Sequence, residues 1–140
     1  MKEKSPVIVR NFEQCDRLNV VTLIEESGLA DGRPSGYLQG VIDKRKIFIA
    51  ESDGSVVGTV FVDGPKKHRN ADINYVAVHE DYRRLGIGKI LVSHAERILK
   101  SMNIKAINLL AHDAKPELIN FYGNLGFVLV TPDGEMVKRL

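Results

Sequence analysis

A single cysteine, Cys15, is all the thiol chemistry this chain carries. One thiol cannot close an internal disulfide, so stability must come from a packed core, and a reducing compartment, the cytoplasm, is the expectation. Cys15 follows a predicted strand end and has no histidine close in sequence, which points to a buried or inert thiol and not to a nucleophile. Long hydrophobic runs are missing too. The longest are strand-sized, far short of the ~20 residues that span a bilayer. No apolar stretch follows the opening Met1-Lys2-Glu3-Lys4-Ser5-Pro6, so neither a membrane segment nor a signal peptide is expected. Charge of one sign is scarce: 20 Lys and Arg against 18 Asp and Glu leave +2, too little for nucleic-acid binding, which needs a concentrated basic face. One basic run, Lys66-Lys67-His68-Arg69, lacks the interleaved aromatics of a single-strand binder and reads as a solvated loop that could meet an acidic acceptor. Repeats and low-complexity segments are absent. The length of 140 residues suits a single domain, 1–140.

What is present is a regular alternation of strand and helix patterns. Residues 7–10 read as an opening strand, and residues 12–27 as a helix with Leu18, Val21 and Ile24 on one face, stopped at Gly28. Residues 31–36 form a loop by composition, and a short helix covers residues 41–44. Strands at 47–50 and 56–62 flank the hairpin signal Ser52-Asp53-Gly54-Ser55, with Gly58 a point of close approach. Residues 64–70 read as a polar loop and 73–78 as a strand. From residue 87, Ile87, Ile90, Leu91, Ala95, Ile98, Leu99 and Met102 make a core-facing helical stripe. A strand at 107–111 follows, then a helix opened by Pro116 and closed at Gly126. A strand at 127–130, a turn at 131–134 and an edge strand at 136–140 complete the chain. The pattern specifies a mixed α/β sheet covered by helices.

The most informative stretch runs from Val76 through Ala77, Val78, His79, Glu80, Asp81, Tyr82, Arg83, Arg84, Leu85, Gly86, Ile87 and Gly88 to Lys89. An apolar strand enters a basic, glycine-interrupted turn and a helix begins at once. Helix starts leave amides without partners and carry partial positive charge, and glycine lets a ligand approach the backbone. With Arg83 and Arg84 just ahead, this is a seat for a di-anion, most simply a pyrophosphate. Two nucleotide signatures fail on residue identity. The dinucleotide fingerprint needs a third glycine where Leu91 stands and an acidic residue near Asn108 and Leu109. The P-loop needs a glycine where Arg83 stands and Ser or Thr where Ile90 stands.

Arg83-Arg84-Leu85-Gly86-Ile87-Gly88 matches the pattern R/Q-x-x-G-x-G/A, and Phe121-Tyr122-Gly123-Asn124-Leu125-Gly126-Phe127 supplies a second landmark, an aromatic-Tyr pair followed by Leu-Gly-Phe. In both motifs, their order and the run of elements over about residues 6–137, the chain resembles the GNAT superfamily of acyl-CoA N-acyltransferases. The resemblance implies a central, mostly antiparallel twisted sheet flanked by helices, acetyl-CoA as cosubstrate and no metal. The acyl group would pass by direct attack to a primary amine of a small molecule, peptide or protein.

It further implies that Val76, Ala77 and Val78 line the pantetheine, with the Val76 amide near the thioester oxygen. Arg83, Arg84 and the backbone of Leu85, Gly86, Ile87, Gly88 and Lys89 would take the pyrophosphate, and Tyr122 would serve as general acid to the leaving thiolate. Asp72, four positions before Val76, would be the base, with His79, His112, Asp113 and Glu117 weaker alternatives. Lys115 stands where many relatives carry a cofactor-contacting Asn and would replace that contact. Residues 28–45, including Asp31, Arg33 and Tyr37, would shape the acceptor cleft. The family allows a homodimer. The rivals are a non-catalytic acyl-CoA-binding or regulatory module of the same fold and, further off, a nucleotide-binding protein.

Overall fold

A computed structural model of the chain describes residues 5–30 and 32–140; the readings of residues 1–4 and of Asp31 lie outside these. Seven strands form a sheet in the order β1-β2-β3-β4-β5-β7-β6, flanked by helices. The strands are β1 (Ile8–Asn11), β2 (Lys46–Ser52), β3 (Ser55–Lys66), β4 (Asn70–Val78), β5 (Ala106–Leu110), β6 (Val128–Leu129) and β7 (Glu135–Arg139). The helices are α1 (Arg17–Glu26), α2 (Ser35–Lys44), α3 (Ile87–Ser101) and α4 (Pro116–Gly123). β4 and β5 pair in parallel over three residues, from Asn70↔Ala106 to Asp72↔Asn108, which requires the crossover that α3 supplies. The pairs β1–β2, β5–β7 and β6–β7 are antiparallel. The chain gathers into two compact units, Met1–Phe61 with Tyr75–Ala95, and Val62–Asn74 with Glu96–Leu140.

In the first unit, α1 and α2 bury Val20, Val21, Ile24, Leu38 and Ile42 against Ile47, Ile49 and Phe61 of β2 and β3. The β2–β3 hairpin turns through Asp53 (φ 52°) and Gly54 (φ 76°), the pair of left-handed residues whose twist matches that of paired strands. Gly58 is a close-approach point: a Cβ there would stand 2.9 Å from Leu91 Cδ1, 3.1 Å from Ile87 Cγ2 and 3.3 Å from Ala50 Cβ. That missing side chain lets the start of α3 lie directly on β3. The polar end of the unit is tied by Asp16, which is almost fully buried. Its carboxylate accepts from Arg10 Nη1 and Nη2 at 2.8 and 2.9 Å and from the Glu13 amide at 2.8 Å.

Those bonds, against the opposing effect of burial, hold the Asp16 carboxyl below its usual range. A depressed carboxyl stabilises the fold above its unfolded value near 3.8, and the contribution is lost as pH falls through the lower folded value. Asp16→Ala should therefore cost about 2 kcal/mol at neutral pH, because it removes the main carboxylate partner of a partly buried guanidinium and leaves it only Glu51 and the Asn11 carbonyl. Urea melts of variant and parent should begin to approach one another as pH falls below 3.8 and converge once it has passed the lower folded value, where the parent carboxylate is itself protonated.

In the second unit, Ile107, Leu109 and Met136 are buried along β5 and β7, and Phe127 and Tyr122 join them from α4 and its exit. Lys138 of β7 reaches Glu96 Oε1 at 2.8 Å and the Leu125 carbonyl at 2.8 Å. Its stem crosses Gly126, where a Cβ would lie 3.0 Å from Lys138 Cε and where φ is +97°. The glycine of Leu125-Gly126-Phe127 thus has a structural reason: the lysine passes over it to take the carbonyl before it.

Several expectations are corrected. β7 is not an edge strand; it pairs with β5 and β6, because the turn at 131–134 folds it back between them, and the edge belongs to the two-residue β6. Ile90 and Met102 leave the α3 stripe at 45% and 44% exposure: Ile87, Leu91, Val92, Ala95 and Leu99 fill the buried face, and Ile90 lies a turn-third away from it. Leu18 is likewise exposed on α1. The segment 64–70 is not a free loop, since β3 continues to Lys66 and a single 3-10 turn, Lys67–Arg69, leads into β4. α2 begins at Ser35, six residues before residue 41, and α4 ends at Gly123, before Gly126. Cys15 is exposed, its Sγ 3.8 Å from Glu13 Oε2.

Candidate active site

The expected anion seat falls on the end of β4 from Tyr75 and the turn after it, within the first unit. Tyr75 lies inside the strand at φ +51°, a left-handed conformation that bulky residues rarely adopt. Its ring packs 5.0 Å from that of Phe61, which helps to hold it there. A single left-handed residue re-aims the peptide that follows, as at a β-bulge, and that peptide carries the Val76 amide. Just before it, the side-chain oxygen of Asn74 is buried without a hydrogen-bond partner among the described residues. Neither feature has a signal in composition or periodicity, because both depend on which neighbours β4 meets.

After Val78 the His79 amide donates to the Val57 carbonyl at 2.8 Å, tying the strand exit to β3. His79 Nδ1 then accepts from the Asp81 amide at 3.1 Å and caps the 3-10 turn Glu80–Tyr82. Arg83 Nε donates to the Val78 carbonyl at 3.1 Å, which clamps the turn to the end of β4. Arg84 (φ 65°) and Gly86 (φ 80°) are both left-handed and swing the chain into α3. Around Gly86 a Cβ would meet nothing within 4 Å, so the glycine is required by conformation and the space over it is open.

The first intrahelical bond runs from the Ile90 amide to the Gly86 carbonyl at 3.0 Å. Gly88 and Lys89 therefore sit in the first turn, where no carbonyl is in register for their amides. Among the described residues no side chain caps the amides of residues 85–89. Free donors at the positive end of a 15-residue helix, with Leu85, Gly86 and Lys89 exposed, have the physical character of an anion seat.

The remaining predicted residues lie in the second unit. Tyr122 is on α4 at 8% exposure, its ring edge-on to Phe121 at 5.0 Å and Phe127 at 6.0 Å. Burial pushes its hydroxyl up to about 12, so it stays a protonated donor throughout the physiological range. Lys115 precedes Pro116 at the N-cap of α4 and is exposed. Asp72 on β4 is engaged, with Lys66 Nζ 2.5 Å from its Oδ2 and Asp63 sharing that ammonium at 3.2 Å. The two carboxylates raise the Lys66 ammonium above its usual value, with Asp72 the larger influence. His112 Nε2 lies 3.4 Å from Asp113. The geometry thus brings Val76, Ala77, Val78 and residues 83–89 together on one stretch of backbone, and places Asp72, Lys115 and Tyr122 in the other unit. Among the described residues no group of three or more potential metal ligands gathers.

A strand that bends before a basic helix start is the geometry this site offers, and its likeness to known proteins places it in a family. The profile of the Acetyltransferase (GNAT) family matches residues 26–127, and the chain belongs to that family. An acetyltransferase of Sodalis glossinidius is 31% identical over 138 residues, 94% of each chain. The uncharacterized N-acetyltransferase ycf52 of Gracilaria tenuistipitata var. liui is 31% identical over 103 residues, which cover 64% of this chain and 54% of that one. Among solved structures, the ribosomal-protein-S18-alanine N-acetyltransferase of Escherichia coli superposes with a TM-score of 0.82 at 18% identity, covering 96% of this chain and 94% of that one. The PaiA N-acetyltransferase of Thermoplasma acidophilum, solved with coenzyme A, gives 0.79 at 19% identity, covering 96% and 99%. At these identities the superpositions establish the fold.

Proposed function

We propose that the chain is a single N-acetyltransferase domain that moves the acetyl group of acetyl-CoA to a primary amine of a small molecule, peptide or protein by direct attack, with no acyl-enzyme and no metal. The observation that carries this reading is the run of amides at residues 85–89, ahead of the first intrahelical bond from the Ile90 amide to the Gly86 carbonyl and behind Arg83 and Arg84. They would receive the diphosphate of coenzyme A, with Val76, Ala77 and Val78 offering strand-edge groups to the pantetheine amides. The re-aimed Val76 amide would stabilise charge growing on the thioester oxygen.

Tyr122, kept protonated by burial, would donate to the departing thiolate. Asp72 would receive the acceptor's proton, and because Lys66 holds it, that step requires the ion pair to open or a water to relay the proton. Lys115 would reach a cofactor phosphate. Catalysis in this reading is positioning plus oxyanion stabilisation. The exposed Cys15 suits a reducing cytoplasm.

The test is release of free thiol from acetyl-CoA by purified protein across an amine panel. Acceptor-dependent release supports the reading. Saturable coenzyme A binding without release for any amine identifies instead a binding module on the same fold, and tighter binding of ATP or a dinucleotide overturns the cofactor assignment.

A further inference from the structure

The acetyl-transfer reading leaves the basic run at residues 66–69 unused. Lys66 is spent on Asp72 and Asp63. Lys67, His68 and Arg69 are exposed on the 3-10 turn between β3 and β4. His68 and Arg69 are both left-handed, at φ 60° and 59°. Glycine or asparagine normally fills such positions, so two side-chain-bearing residues in succession are held there against their preference.

The holding contact is the Arg69 carbonyl, which accepts from the Lys105 amide at 2.7 Å. Lys105 precedes β5, and Asn70 pairs with Ala106 in register, so Arg69 and Lys105 stand on adjacent chains about 4.8 Å apart. Ala106 also pairs with Arg139 of β7, and the Leu140 amide donates to the Lys105 carbonyl at 2.8 Å, which brings Arg139 to the same end of the sheet. Lys67, Arg69, Lys105 and Arg139 are all exposed, and among the described residues none of them forms an ion pair. Like charges on neighbouring chains repel one another. The fold nevertheless pins two of them side by side through a short main-chain bond, on a strained turn.

We infer that this end of the sheet, formed by Lys67, Arg69, Lys105 and Arg139, is a docking surface for an acidic, Asp/Glu-rich segment of a partner polypeptide. Carboxylates fit the arginines bidentately and the lysines as point charges. Arg139 pairs with Ala106 and so faces the other side of the sheet from Lys105, which places cations on both sides of the strand ends that an acidic chain would cross. Nucleic acid fits less well. No aromatic ring belongs to the cluster to stack a base, and the chain as a whole carries only +2. The surface stands apart from the acetyl-transfer reading and does not depend on it.

The experiment is fluorescence anisotropy of the full chain with a labelled oligoglutamate about ten residues long, enough to cross ~30 Å when extended. Saturable binding is expected at about 50 mM salt and should weaken roughly tenfold by about 300 mM. Arg69→Gln with Lys105→Gln should weaken it about tenfold, and the surface control Lys44→Gln should leave it unchanged. Circular dichroism checks the fold, and coenzyme A affinity measured on the same samples should not move, so the two readings fail separately. No saturable binding at low salt, unchanged binding in the double variant, or tighter binding of a single-stranded oligonucleotide of equal length would overturn the inference.

Discussion

Gly86→Glu is expected to weaken coenzyme A binding at least a hundredfold, or about 2.7 kcal/mol, while the protein stays folded. The fold should survive because the position is open: a Cβ would touch nothing within 4 Å. Holding a non-glycine residue at φ +80° costs roughly 1–2 kcal/mol. Part of that returns, since a carboxylate at a helix N-terminus is stabilising. That same favourable placement is what defeats the ligand. The new carboxylate would occupy the first-turn amides and stand against the diphosphate. At ~5 Å and an effective dielectric near 20, each like-charge pair costs about 3 kcal/mol. Gly86→Ala separates the two contributions, carrying the backbone strain without the charge, and should weaken binding only several-fold. Titration calorimetry with coenzyme A, beside thermal melts of all three proteins, reads both. Parental affinity in the Glu variant would remove the diphosphate from residues 85–89.

Tyr122→Phe is expected to lower kcat by about a hundredfold, the lower range for loss of a general acid, with coenzyme A affinity within about twofold. The substitution deletes one oxygen and keeps the ring that packs on Phe121 and Phe127. A drop in kcat with unchanged affinity is the signature of an interaction made in the transition state. The raised hydroxyl adds a pH signature. A group whose folded value, about 12, exceeds its ordinary 10.0 stabilises the fold fully below 10, and that contribution disappears as pH climbs through the folded value. The parent should therefore lose stability between pH ~10 and ~12 more steeply than the Phe variant, and activity should show no alkaline limb from this residue below about pH 11. Unchanged kcat would return Tyr122 to a packing role.

The turn and its helix were legible because their information is local. Glycine at 86, arginines at 83 and 84 and an apolar stripe from residue 87 each state their conformation within a few residues, and the structure starts α3 at Ile87. Pro116 opens α4 as its ring geometry dictates, and the Asp53-Gly54 pair turns the first hairpin. The misreadings have a different origin. Ile90 satisfies helical periodicity as well as Leu91 does, and only the width of the buried face decides which of them meets solvent, while Met102 is exposed because α3 has already ended at Ser101. A terminal strand pattern does not say whether it ends a sheet or inserts between two others, so β7's place between β5 and β6 was out of reach. The same holds for Leu-Gly-Phe. Its glycine is explained by Lys138 crossing from twelve residues away to reach Leu125 and Glu96.

By itself the chain's order of residues determined the class of fold, the position of the glycine turn that opens α3 and the family to which the chain belongs, since these rest on periodicity, on glycine's access to positive φ and on the local signals of a helix start. Tertiary structure alone decided that Tyr75 would be left-handed just before Val76, that Asp72 would be held by Lys66, and that Arg69, Lys105 and Arg139 would share one end of a sheet. Those outcomes depend on contacts between residues far apart in the chain, and such contacts exist only once the strands have chosen their neighbours and register.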